Sequence, residues 1–226
     1  MKTSLNLPAV GFINKAVIGF AFECLIFGAI FWGVGGNCDA AIVFPKAPDG
    51  GEQIVRTHLD AKLLKVPRIE DVTIADAHRE YFVGLTNLAA GHLLSAAKIG
   101  PWRYLLLQGT NAVGAAELNA DEKTGKALGF RSLQRAFEPE APLEALRMAE
   151  KLPQVQKEDY EVRYLDIAPV LFVAVWLHRE SDDIIIPLPN TFGRFKAYQP
   201  YSESEIIKVL KTEAEQKLKA PAGSGD

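Results

Sequence analysis

Trp102-Arg103-Tyr104-Leu105-Leu106-Leu107-Gln108, then Gly109-Thr110-Asn111, then Ala112-Val113-Gly114-Ala115-Ala116-Glu117-Leu118 is the stretch that decides the fold. The first segment follows the helix-stopping Gly100-Pro101 and reads as a short strand. Gly109-Thr110-Asn111 can turn the chain, and Ala112–Leu118 returns it as a hairpin. Lys123-Thr124-Gly125-Lys126 reads as the next turn, and Ala127–Leu133 as a third strand. Three strands separated by turns form an antiparallel meander.

Downstream, Pro142–Leu152 reads as a helix with its proline tolerated in the first turn. Tyr160–Ile167 alternates as a strand. Val170–Leu177 is an unbroken apolar run, which suits a strand buried on both faces. Ile184–Leu188 pairs back, and Pro187 places it at an edge because proline has no N–H for the ladder. Ser202 and Glu205 make an S-x-x-E capping box for a last helix with the stripe Ile206, Leu210, Ala214 and Leu218.

Upstream, Ile54–Val66 is loosely helical. Thr73-Ile74-Ala75-Asp76 reads as a helix start, and Ile74, Tyr81, Leu85, Leu88, His92 and Ala96 follow at three- to four-residue steps. The expected fold is therefore α+β. It has an antiparallel sheet of about five to six strands with helices on one face, preceded by an apolar N-terminal helix.

The 226 residues suit one domain, and 48% hydrophobic with 23% charged residues excludes a disordered chain. A net charge of −3 argues against a nucleic-acid partner. The first 40 residues hold both cysteines and five of the twelve Phe, but only four charges: Lys2, Lys15, Glu23 and Asp39. Residues 16–36 are long enough to cross a membrane, and the lysines ahead of them would keep the N-terminus in the cytoplasm. The expected organisation is a leader over 1–40 (signal peptide or membrane anchor), a Pro/Gly-rich linker over 41–53, one domain over 54–219 and a polar tail over 220–226. It implies a membrane-associated or exported protein.

No complete catalytic motif is present. Ser95-Ala96-Ala97-Lys98 and Lys123-Thr124-Gly125 match two short motifs of serine β-lactamases, but the S-D-N element is missing. The four histidines, His58, His78, His92 and His178, show no metal-ligand spacing, and two cysteines are too few for a thiolate zinc site. No metal or cofactor is expected. Glu117, among small residues, and Asp166, between Leu165 and Ile167, are candidate buried acids, unless each pairs with Arg103, Arg131 or Arg163. With His178 they define a candidate pocket over the sheet. Phe192, Arg194, Phe195, Lys196 and Tyr198 interleave aromatics and cations in one loop, which is the candidate surface for a protein partner. Three functions are expected: a non-catalytic anchored or exported interaction domain, a small-molecule-binding protein or hydrolase, or a subunit whose apolar helix packs into a partner.

Overall fold

The computed structural model describes residues 42–135, 140–189, 191 and 194–220, all within the compact unit Cys38–Asp226. The expected leader over 1–40, with its apolar helix, and the loop residue Phe192 lie outside the described residues. Eight strands form one sheet: β1 (Ile42–Val43), β2 (Val72–Phe82), β3 (Lys98–Gln108), β4 (Asn111–Ala120), β5 (Ala127–Gln134), β6 (Tyr160–Ile167), β7 (Phe172–His178) and β8 (Ile184–Pro187). Their order is β5-β4-β3-β2-β6-β7-β8, with β1 beside the start of β6. The pairings are antiparallel except β2–β6 and β1–β6, which are parallel. The class is α+β, with two or three more strands than the sequence suggests.

The extra central strand is β2, where the apolar spacing from Ile74 onward predicts a helix. The helix is only α3 (Leu85–Ala89), which begins after Gly84. Ala77–Tyr81 are five consecutive buried residues. A strand covered on both faces loses the alternation by which a strand is recognised. The expected linker also carries structure. Ile42 and Val43 pair with Tyr160 and Glu161, Asp49 bridges to Lys126, and α1 (Gly51–Thr57) begins directly after Gly50. A second short helix, α2 (Ala61–Leu64), is capped by Asp60, whose carboxylate accepts the N–H groups of Lys62 and Leu63.

The period-two geometry of strands divides the side chains into two faces. On one, Leu165, Ile167, Ala174, Trp176 and Ile185 meet Ile206, Leu210 and Ala214 of α5 (Glu203–Lys219). Farther along that face, Trp102, Tyr104, Leu106, Ala116 and Leu118 meet Val55 of α1 and Leu64 of α2. On the other face, Val162, Tyr164, Val175, Leu177, Ile184 and Ile186 meet Ala145, Leu146 and Ala149 of α4 (Ala141–Ala149). The expectation of helices on one face is therefore corrected, because α4 and α5 cover residues of opposite parity on the same strands. The α5 start behaves as its capping box predicts: the Ser202 N–H and hydroxyl donate to Glu205 at 2.8 and 2.7 Å. Among the described residues no helix is long and apolar enough to cross a membrane.

Candidate functional site

The α4 face changes character between β6 and β2. Alternation along Ala77-His78-Arg79-Glu80-Tyr81-Phe82 sends His78 and Glu80 to the α4 face, and Arg79 and Tyr81 to the other. Register then places His78 opposite Arg103, Arg103 opposite Glu117, Glu117 opposite Ser132 and Glu80 opposite Tyr164. Asp166 shares this face, two residues beyond Tyr164. Six ionisable groups from β2, β3, β4 and β6, His78, Glu80, Arg103, Glu117, Tyr164 and Asp166, thus converge on one side of the sheet.

Arg103 and Glu117 form the frame. Arg103 Nη1 donates to Glu117 Oε1 at 2.8 Å, with both side chains about nine-tenths buried or more. Gln134 donates to the same oxygen at 2.9 Å, Ser132 donates to Oε2 at 3.0 Å, and Arg131 approaches Oε2 at 3.8 Å. The Arg103 guanidinium also lies 4.6 Å over the Tyr164 ring. The sequence alternative that Glu117 pairs with Arg103 or Arg131 describes its contacts.

Glu80 and Asp166 are treated differently. No hydrogen bond or ion pair to either is found among the described residues, although Glu80 is 4% exposed. Burial pushes the Glu80 carboxyl up to about 7, with Glu117 and Asp166 adding to the effect and Arg103 opposing it. Asp166 is raised by burial and by Glu117, again against Arg103. Burial, reinforced by Arg103, pushes His78 down to about 3, so it is neutral at physiological pH, and its Nδ1 has no partner among the described residues. Burial raises the Tyr164 hydroxyl to about 12. A carboxyl that titrates near neutrality is suited to exchanging a proton or to changing charge when a ligand arrives.

Of the expected pocket, Glu117 and Asp166 are brought together and His178 is not. Register pairs His178 with Glu161, so it shares the opposite face with Trp176. There its Nδ1 lies 2.8 Å from Asp183 Oδ1, which also accepts the Trp176 indole N–H at 2.7 Å. The histidine near Glu117 is His78. The cluster also gains Glu80 and Tyr164, whose signal was the alternation within residues 77–82 and 160–167.

The described part of the aromatic loop closes the sheet edge. Tyr201 exchanges two hydrogen bonds with Ile185 of β8, both 2.9 Å. Phe195 packs edge-to-face on Phe172 and Tyr201 at 5.4 Å each. Arg194 pairs with Glu213 at 2.6 Å, and the backbone N–H of Lys196 donates to the Tyr201 hydroxyl at 3.1 Å. Tyr198 has a positive φ of 62°, and its N–H donates to the Pro187 carbonyl at 2.9 Å. Among the described residues no group of three or more His, Cys, Asp or Glu can hold a metal ion.

Comparison of the chain with protein-family models, with curated proteins and with solved structures finds no match.

Proposed function

We propose that this domain binds a small cationic molecule on the polar half of the α4 face, with Glu80 and Asp166 as its counter-charges. The observation that carries the reading is a charge imbalance. Three carboxylates share a largely buried face with one buried arginine, and Glu117 already engages that arginine. Two carboxyls next to Tyr164 are left to meet a protonated amine, and an approaching ammonium group would pull Glu80 into its charged form. A second reading, proton transfer to or from the bound molecule, is favoured by the Glu80 carboxyl standing near 7.

The test is thermal melting and calorimetry with putrescine and ethanolamine at pH 8, against sodium chloride at matched ionic strength. Either amine should raise Tm saturably, and the rise should vanish in the Glu80→Gln, Asp166→Asn double variant. Stabilisation no greater than that by sodium chloride would overturn the reading.

The charge bias around residues 16–36 supports placing the domain on or beyond a membrane. Cell fractionation with N-terminal sequencing tests this, and a cytoplasmic product that begins at Met1 would overturn it. The expected partner-binding role of Arg194, Phe195, Lys196 and Tyr198 stays a secondary proposal, because Phe195 and Arg194 also have intramolecular partners.

A further inference from the structure

A pocket opens on the face opposite α4. It has a volume of about 160 Å³ and is lined by Lys46, Asp49, Arg79, Trp102, Asp121 and Glu122, among others. Arg79 is its fixed element. Its guanidinium lies 4.4 Å over the Trp102 ring, Nη1 donates to the Gly100 carbonyl at 2.8 Å, and Nη2 pairs with Glu122. The two partners are unequally held. The Arg79 side chain is 9% exposed, whereas Glu122 is 59% exposed at the tip of the β4–β5 hairpin.

The other two acids of the pocket are already engaged. Asp121 accepts the N–H groups of Lys123 and Thr124 and the Thr124 hydroxyl, at 2.9, 2.7 and 3.0 Å, so the turn is closed without Glu122. Asp49 lies 3.4 Å from Lys46. Among the described residues the Glu122 side chain has a hydrogen bond or ion pair only with the buried guanidinium. A rigid cation stacked on an aromatic ring is a seat for a planar carboxylate, which accepts two parallel N–H bonds from the fork.

We propose that this pocket is a binding site for a small organic carboxylate, and that Glu122 occupies it as an internal substitute that the ligand displaces. A volume of about 160 Å³ suits a ligand of a few carbon atoms. Lys46 also lines the pocket, and its pair with Asp49 is solvent-exposed and weakly held, so a second carboxylate on the ligand could draw that cation from it. A dicarboxylate is therefore favoured over a monocarboxylate.

The experiment is titration with succinate, acetate and inorganic phosphate, followed by the indole N–H resonance of Trp102. The Trp176 resonance reports that the fold is intact. Succinate should shift Trp102 saturably in the wild type. It should bind at least about tenfold more tightly to Glu122→Ala, where the substitute is gone, and not at all to Arg79→Gln. Equal affinity for the wild type and Glu122→Ala would overturn the displacement. Tighter binding of phosphate than of succinate would overturn the carboxylate assignment. No saturable shift in a folded Glu122→Ala protein would overturn the site. The amine reading of the other face stands or falls separately, since Arg79 and Glu122 do not contribute to it.

Discussion

The two halves of the α4 face are built in opposite ways. Over β6, β7 and β8 the inward residues are Val162, Val175, Leu177, Ile184 and Ile186, and α4 covers them. One strand farther on, the inward residues are His78 and Glu80, then Arg103 and Glu117. A helix is about 10–12 Å wide. Strands lie about 4.8 Å apart. One helix laid along the strands therefore covers two or three of them, and α4 covers its share. The neighbouring half keeps buried charges, which are expensive unless paired. Arg103 and Glu117 meet that requirement and Glu80 and Asp166 do not, so on the proposed reading the second pair is where stability is given up for binding.

The largest test of this contrast is to remove the frame. Glu117→Ala leaves Arg103 buried without its carboxylate and should cost about 3–5 kcal/mol in chemical denaturation. In the apolar half, Leu177→Ala creates a cavity in a fully buried site and should cost about 2–5 kcal/mol. Similar losses by unlike mechanisms would sustain the comparison. A loss under about 1 kcal/mol for Glu117→Ala would mean that water reaches Arg103, and the polar half would then be ordinary surface.

Glu80→Gln should act in the other direction. The Glu80 carboxyl stands at about 7 in the folded chain against an ordinary 4.5. Between those values the folded chain keeps a proton that the unfolded chain has released, so stability falls as pH rises through the window. Glutamine cannot ionise. The variant should therefore melt higher than the wild type at pH 8, by at most about 3 kcal/mol, and the gain should disappear below about pH 4.5. His78 has the opposite sign. Its folded value of about 3 lies below the ordinary 6.5, so its contribution is lost as pH falls from about 6.5 toward 3. A Glu80→Gln gain that persisted at pH 4 would point to packing rather than charge.

How far the sequence could be read follows the same contrast. The β3–β4–β5 meander, β6 to β8 and the α5 cap were legible because turns, alternation and a capping box are local signals. Glu117 and Asp166 were legible as at least partly buried carboxylates, because a carboxylate among small or apolar neighbours is itself unusual. Strand β2 was not, because Ile74, Tyr81, Leu85 and Leu88 share a helical spacing by coincidence of a strand and the short helix after it. That reading put His78 and Glu80 on a helix and hid their neighbours. The placement of His178 on the other face follows from the β6–β7 register, which no single strand reveals.

The smallest predicted effect separates a sealed polar core from an open site. Ser132 supplies one of the hydrogen bonds to Glu117, at 3.0 Å to Oε2. Arg103 and Gln134 both bind the other oxygen. If the second oxygen can turn to water or to a ligand once the hydroxyl is gone, Ser132→Ala should cost only about 0.5–1.5 kcal/mol by chemical denaturation. A sealed core would leave Oε2 with Arg131 at 3.8 Å as its nearest donor. The loss would then rise to about 3 kcal/mol, because a buried charged acceptor left unsatisfied carries its full desolvation penalty. Since Glu80 and Asp166 share this face with Glu117, a small Ser132→Ala effect is what a face able to admit a ligand requires.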